Sequence, residues 1–579
     1  MIAPPESGPF GPVAEHPTEP DRPGRWSARH IYLHGGVAHT DAFLTECLAP
    51  AADRLAPNGW FFLRYWTGGP HVRVRLRDAE DGAWEELIGL CTSWLAAHPP
   101  QETELAPTEF YGSRAGAAEY GWHEHGAVVT ADYEPELDRY GGPVALAAAE
   151  EFFVVSSHIA IAALRGTSAG PRRIGVAFNL FLTFARAVCD SDVAEVAMLR
   201  RYVYSARYNT TEAPDLDVGH LRATAERDYH VDAKRFRDAA TKVDAVVSAQ
   251  TGAGYLGVWA NQAATYADEL RRLAAAGQLG GYGSLWAVLL SQLHMLMNRI
   301  GITLAEEYHL SWLASLVRAG ATLGEGFHDR GMQTPSRHFH EAAKYFSASL
   351  ADQQPRSGTS PIQNPSRWQQ DLALPTPITL PPVTMAEALD RRRSALTDYR
   401  GPMPAPELSA LLAHSAGEQL VVQAPLPLRP YPTAGARHSS RVLLLPTNVP
   451  EIPPAIYEYR ADGHCLRTQA PAPVAAQLAA CSPYLSGSFD VEAVPLWLFV
   501  VGDVSAIGAC YGARGYRFLL LEAGHLAQNL LLVSTALGYR SAPIGGFFDD
   551  QLSQLLDLDG VESAPFYLIP VGKPSGHDD

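Results

Sequence analysis

Residues 59–77 read GWFFLRYWTGGPHVRVRLR, two β-rich runs joined by Gly68-Gly69-Pro70. Gly-Gly-Pro between apolar runs signals a hairpin, because glycine supplies the backbone freedom that a tight reversal needs. Successive side chains along a strand point to opposite faces. The second run therefore sets His71, Arg73, Arg75 and Arg77 on one face and Val72, Val74 and Leu76 on the other. The apolar face asks for a core. The arginine face repels itself unless acidic neighbours or an anionic ligand neutralise it, and arginine grips carboxylates through a two-pronged fork. Alternation alone also fits a solvated face with ordinary ion pairs.

Further along, Tyr133 to Gly142 reads YEPELDRYGG, which packs acids, Arg139, Tyr140 and a flexible pair ahead of an apolar helix. Its plain reading is a turn and a helix start. In QLHMLMNRIG, helical spacing puts His294 and Asn298 on one side, with Arg299 beside them, inside an otherwise apolar helix. A lone histidine in such a place is usually a satisfied core residue. Residues 26–350 thus begin with strands and end in long helical patterns, an α+β domain with a helical second half.

At 579 residues the chain exceeds a single core, and 47% apolar against 18% charged residues marks a globular protein. Its net charge of −17 disfavours direct nucleic-acid binding. Lysine occurs only at 234, 242, 344 and 573, so a catalytic lysine has few places to be. The six cysteines form no C-x-x-C pair, which argues against a disulfide framework and against a metal site. Residues 1–25, rich in Pro, Glu and Asp, read as a disordered tail without a secretory signal. Phe518–Leu537 reaches membrane-spanning length, but Glu522, His525, Gln528 and Asn529 interrupt it, so no membrane span and a cytoplasmic enzyme are expected. Residues 351–382 stack proline, serine and glutamine and read as a linker, which leaves 383–579 as a second domain.

That domain also reads as α+β. Arg391-Arg392-Arg393-Ser394 could hold a phosphate or simply end a helix. In RPYPTAGARHSS, Gly435 allows close approach to a flat ligand. Helical spacing in RGYRFLLLEAGHLAQNLLLV gathers Glu522, His525 and Asn529 in one stripe. Burying that stripe unpartnered is costly, so it lines a polar site or interface, or forms an internal hydrogen-bond network. Gly545-Gly546 makes a loop ahead of a short acidic helix.

Taken in order, RYWTGGPHVRVR, YEPELDRYGG and LHMLMNR resemble the elimination domain of lantibiotic dehydratases and its stand-alone relatives in thiopeptide biosynthesis. The resemblance implies removal of glutamate from glutamylated serine or threonine on a precursor peptide, leaving dehydroalanine or dehydrobutyrine. It carries catalytic roles to Arg73, Arg75, Arg139 and His294, and substrate binding to Arg64, His71, Asn298 and Arg299. Such chemistry needs a base at the Cα proton and cations for the departing carboxylate. His71 and His294 compete for the proton. A related subfamily forms the pyridine ring of thiopeptides by cycloaddition, and fusion to a second enzyme favours elimination.

RRRS, PTAGARHS, GYRFLLLEAGHLAQNL, IGGF and the terminal PVG resemble the nitroreductase-fold flavin dehydrogenases that oxidise azolines to azoles. The resemblance implies FMN, with Arg391, Arg392 and Ser394 at the phosphate, Thr433, Ala434 and Gly435 in one flavin loop, and Gly545 and Gly546 in another. Gln528 and Asn529 lie on the matched helix. The family's Lys-Tyr pair reads Cys510-Tyr511 here, so Tyr511 is the expected base. The whole chain thus resembles bifunctional maturation enzymes of lactazole-type thiopeptide pathways. That implies a ribosomal precursor peptide as substrate, a tRNA-dependent glutamylating partner, a cyclodehydratase of the same pathway, and a homodimer. The alternatives for the second domain are an inactive scaffold and a general NAD(P)H-dependent nitroreductase.

Overall fold

The structure, a computed structural model, describes residues 25–574 apart from 81, 101–106, 112–120, 168–169, 209–215, 250–253, 281–284, 321–333, 346–355, 357–370, 396, 398, 420–427 and 486–488. Apart from Arg25, the expected tail lies outside the described residues. The chain divides into two compact units, Pro12–Ala321 and Thr322–Asp579. This division falls before position 350, the boundary expected from composition.

The first unit holds a four-stranded antiparallel sheet of β1 (Trp26–Tyr32), β2 (Trp60–Tyr65), β3 (His71–Arg77) and β4 (Val128–Ala131), ordered β2-β3-β1-β4. The hairpin forms as read, with Gly68 and Gly69 at φ 83° and 108° making the reversal. Trp60 and Phe62 stand opposite Leu76 and Val74 and share their face. All four, with Val72, are at most 1% exposed. Each such side chain contributes about 1.5–3 kcal/mol on burial. On the other face, Ala28, His30 and Tyr32 pair with Arg75, Arg73 and His71, and Phe61 and Tyr65 flank from β2.

Five helices are central to the rest of this unit: α1 (Gly142–Arg165), α2 (Pro171–Val188), α3 (Asp192–Tyr204), α4 (Leu285–Arg299) and α5 (Leu304–Ala319). A Thr303/Glu306 capping box starts α5, and Gly320 at φ 60° stops it. As a sheet edge, β2 would leave backbone groups unpaired. Side chains of α4 satisfy them. The Asn298 amide accepts from Arg64 N–H and donates to Arg64 C=O, both at 3.0 Å, and Arg299 Nε donates to Phe62 C=O at 2.8 Å.

The second unit contains α6 (Pro335–Ala342), β5 (Asp371–Ala373), α7 (Met385–Arg391), α8 (Ala405–Ala416), β6 (Ser440–Pro446), β7 (Ala455–Arg460), β8 (Cys465–Pro471) and β9 (Leu496–Asp503). The chain continues through α9 (Val504–Tyr511), α10 (Ala513–Ala536), β10 (Arg540–Ser541) and β11 (Ser563–Gly572). Its antiparallel sheet runs β10-β11-β9-β6-β7-β8-β5. In β9 the run LWLFVV is buried on both faces: Leu496, Leu498 and Val500 join the core with Leu408, Leu411 and Leu526, while Trp497, Phe499 and Val501 join Leu552 and Leu556. Part of the stretch expected as linker is instead sheet, since Asp371–Ala373 pairs with Cys465–Arg467 and the Arg467 guanidinium holds Asp371. Among the described residues two helices, α1 and α10, are apolar and long enough to cross a membrane, and 61% and 44% of their most apolar stretches are buried.

Candidate active sites

Arg73 and Arg75 lie on the polar face of β3, with Arg75 only 7% exposed. The Arg73 guanidinium sits 3.4 Å from the centre of the Tyr65 ring, and its Nε donates to His71 Nε2 at 3.3 Å. His71 Nδ1 lies 2.8 Å from the Gly69 carbonyl. A ring nitrogen facing a carbonyl must carry the hydrogen, which makes Nε2 the acceptor. Burial, reinforced by His30, Arg73 and Arg75, pushes His71 down to about 3. His71 is therefore a neutral prop for Arg73, not a proton acceptor. Burial and the same two arginines hold His30, stacked on His71 at 4.9 Å, down to about 4. Burial and neighbouring Arg73 bring Arg75 down to about 10.

Arg139 donates to Glu136 at 3.1 Å, and the Glu136 charge also acts on Arg73 and Arg75. Guanidiniums on this face suit a carboxylate ligand, which they can grip in pairs of hydrogen bonds. His294 on α4 presents Nδ1 to both oxygens of Glu307, at 3.1 and 2.9 Å. Glu307, 1% exposed, also accepts the Tyr202 hydroxyl. The carboxylate fixes the imidazole and leaves Nε2 as the nitrogen able to exchange a proton with a ligand. The Arg139 charge acts on Tyr202, and Arg139, Glu136, Arg299 and Arg75 all act on Tyr140. Arg75 and Arg139 thus act on one phenol, Arg139 acts on a second that is hydrogen-bonded to the His294 partner Glu307, and Arg73 is linked to them through the Glu136 charge.

The residues expected to bind substrate divide. His71 stands in this neighbourhood. Arg64 does not: it shares the face of Val72, donates to Asp41 at 2.5 Å and to the Arg299 carbonyl at 2.9 Å, and Asp41 is held in turn by Arg173. Asn298 and Arg299 are spent on the edge of β2, although the Arg299 charge still reaches Tyr140. A cavity of about 550 Å³ lined by Asp41, Thr45, Glu46, Arg165 and Thr167 contains none of the expected residues. Glu136, Tyr202 and Glu307 were not singled out from the sequence. Glu136 sat inside the quoted YEPELDRYGG, whereas Glu307 carries no local signal beyond an acid in the first turn of a helix.

In the second unit Arg391 closes α7, and Arg392 donates to Ser394 Oγ at 3.2 Å. Ser394 pairs with Ser541 of β10, which sets this cationic stretch beside the strand leading to Gly545. Guanidiniums with a hydroxyl are a donor set that fits a phosphate monoester. Thr433 donates to Glu522 at 2.6 Å, and Glu522 accepts Ser440 N–H at 2.7 Å. The loop between them is tight, with Gly435, Ala436 and His438 at φ 58°, 53° and 49°. Non-glycine residues in that region are strained and persist where the surroundings hold them. A Cβ on Gly435 would lie 2.4 Å from the Tyr511 hydroxyl, so Tyr511 rests directly on this loop. Around Gly545 the position of a Cβ is open, as a flat ring approaching the backbone requires, whereas a Cβ on Gly546 would strike the Tyr484 ring. These features fit FMN.

Two expectations change here. The polar stripe of α10 does not act together: Glu522 ties down the Thr433–Ser440 loop, Asn529 donates to the Pro430 carbonyl at 2.8 Å, and His525 and Gln528 are exposed. Burial and adjacent Cys510 push the Tyr511 phenol up, so it keeps its proton at neutral pH and is not a base by itself. Cys510 is 3% exposed and gives its thiol hydrogen to the Arg356 carbonyl at 3.3 Å.

Residues 26–317 match the family described as lantibiotic biosynthesis dehydratase C-term, and residues 392–573 match the nitroreductase family. A protein of Methanocaldococcus jannaschii named as a nitroreductase is 26% identical over 191 residues, 33% of this chain and 91% of the relative. Among solved structures, a pyridine synthase from thiomuracin biosynthesis is 18% identical, with 51% of this chain and 98% of that one covered and a TM-score of 0.42. The tRNA-dependent lantibiotic dehydratase from Microbispora sp. 107891 is 19% identical, with 52% and 29% covered and a TM-score of 0.34. Scores this low add nothing to the family matches.

Proposed function

This chain belongs to the lantibiotic dehydratase C-terminal family and carries a nitroreductase-like second unit, and from that premise we propose a bifunctional enzyme of peptide maturation. The first unit eliminates glutamate from glutamylated serine or threonine of a precursor peptide. The second oxidises azolines on that peptide to azoles.

One observation supports the first assignment: Arg139 holds Glu136, whose charge also reaches Arg73 and Arg75 on β3, and the Nδ1 of His294 is held by the buried Glu307. His294 Nε2 takes the Cα proton as the Cα=Cβ bond forms and the Cβ–O bond breaks. Arg73, Arg75 and Arg139 receive the departing glutamate, which leaves as a carboxylate and brings a second one. A positioned base of this kind contributes about 10²–10⁴-fold.

In the second unit, Arg391, Arg392 and Ser394 would hold the FMN phosphate, with Thr433, Ala434, Gly435, Gln528, Asn529, Gly545 and Gly546 around the ring. FMN, when bound, supplies the hydride acceptor that azoline oxidation needs. Tyr511 is seated on Gly435 of that loop. The partners of this activity are a tRNA-dependent glutamylating enzyme and a cyclodehydratase, and the setting is a cytoplasmic homodimer. Fusion raises the effective concentration of one site for a peptide held by the other.

Mass spectrometry of a glutamylated, azoline-bearing precursor incubated with FMN and the full chain tests both activities. Loss of glutamate and loss of two hydrogens are the expected outcomes. A cyclised product formed without glutamate loss would replace elimination by ring formation. Colourless protein that takes up no FMN would reduce the second unit to a scaffold, and a flavin that NAD(P)H reduces while azolines stay unoxidised would overturn its assignment.

A further inference from the structure

Residues 335–345 lie outside the stretch that matches the nitroreductase family, yet they are fixed to the corner between α9 and α10. Phe339 meets Tyr516 edge-on at 5.6 Å. Arg517 donates to the His340 carbonyl at 3.1 Å, and Arg514 to the Ala343 carbonyl at 3.0 Å. The Arg514 guanidinium then lies between two rings, 4.9 Å from the centre of Tyr345 and 5.5 Å from that of Phe518. Phe518 in turn meets Tyr511 edge-on at 5.2 Å. A second point of attachment is Arg356, which donates its N–H to the Cys510 carbonyl at 3.0 Å and accepts the Cys510 thiol. A cation between two rings is worth about 0.5–1 kcal/mol at an exposed site and more where water is excluded, so the chain Tyr345–Arg514–Phe518–Tyr511 is a fixed unit.

The charged and polar groups that act on the Tyr511 phenol come from three elements: Cys510 on its own helix, Arg437 on the strained loop, and Tyr345 on this appended segment. Tyr345 is 42% exposed, unusual for an aromatic ring so engaged. We propose that Tyr345 is a positioning residue of the flavin-side site, which holds the Tyr511 phenol, through Arg514 and Phe518, where a substrate proton is handed over. This rests on the azoline-oxidising assignment of the second unit. In that reaction one ring hydrogen leaves with its electron pair to the flavin. The other leaves as a proton to the Tyr511 oxygen while the Tyr511 hydroxyl proton passes to solvent, so the phenol ends as it began.

The test uses the full chain with Tyr345→Phe and, as a second variant, Arg514→Ala. A 3-fluorotyrosine placed at 511 is titrated by fluorine NMR in the flavin-free protein, and azoline oxidation is followed after FMN loading. Tyr345→Phe is expected to shift the fluorotyrosine titration to lower pH, because a neighbouring phenol no longer opposes ionisation. It should lower kcat about tenfold with KM and flavin absorbance unchanged. Arg514→Ala should lower kcat in the same way and broaden the fluorine signal. An unmoved fluorine titration in Tyr345→Phe, or an unchanged kcat in either variant, overturns the proposal. A flavin-loaded wild type that leaves azolines intact overturns the functional assignment and this proposal with it, whereas failure of Tyr345 alone leaves azoline oxidation standing.

Discussion

The two units build their sites from opposite kinds of sheet. In the first, β3 alternates HVRVRLR, so one face enters the core and the other carries arginines. In the second, the central strand LWLFVV is buried on both faces, which leaves that strand no polar face. Its candidate residues come instead from loops, a helix end and the α9–α10 corner. A half-buried sheet can hold a site on a rigid face, whereas a fully buried one must place it at the ends and edges of its elements.

Substitutions that affect one unit only would sharpen this contrast. Arg75→Ala removes a buried guanidinium from the arginine face, and glutamate elimination should fall by about 10²–10³-fold with azoline oxidation unchanged, read by mass spectrometry of one doubly competent peptide. Lysine at 75 should restore little, because a point charge lacks the guanidinium fork. Equal loss of both activities would erase the distinction between the units.

Asn298→Ala has a smaller, structural effect. It strips two hydrogen bonds from the edge of β2 and leaves Arg64 N–H and C=O without their partner, a cost of about 1–3 kcal/mol that thermal unfolding of the first unit would report. Unfolding of the second unit should not move.

Acid gives a further handle on the first unit. His71 is held down to about 3 in the folded chain, against an ordinary value of 6.5. Both states are neutral at this residue above 6.5. Below it the unfolded chain binds a proton that the folded one refuses, so stability falls as pH drops from 6.5 toward 3. The slope is about 1.4 kcal/mol per pH unit for a fully buried group. His71→Gln should flatten that slope in denaturant titrations between pH 6 and 4, and an unchanged slope would contradict the buried, neutral imidazole.

The hairpin, the alternating face and the helical second half were legible because each is a local periodicity. His294 and Asn298 were legible as a pair on one helical side, but their separate duties were not. One meets Glu307 from the next helix and the other meets the backbone of a strand more than 200 residues earlier. The α10 stripe stayed open between a polar site and a hydrogen-bond network for a similar reason: Glu522 and Asn529 found loop partners at Thr433, Ser440 and Pro430, which periodicity within one helix does not reveal. The strand at Asp371–Ala373 was hidden in proline-rich surroundings, since a three-residue edge strand is defined by its neighbour and not by its own composition.

By itself the sequence determined the two-part α+β organisation, the arginine-bearing strand face and the motifs that carry both families, because these depend on residues close together in the chain. Only the tertiary structure decided that Glu136 stands among the arginines, that Glu307 holds His294, that His71 is a prop, and that residues 335–345 attach beside Tyr511. Charges and hydrogen-bond partners act across space, and distance along the chain places no limit on which of them meet.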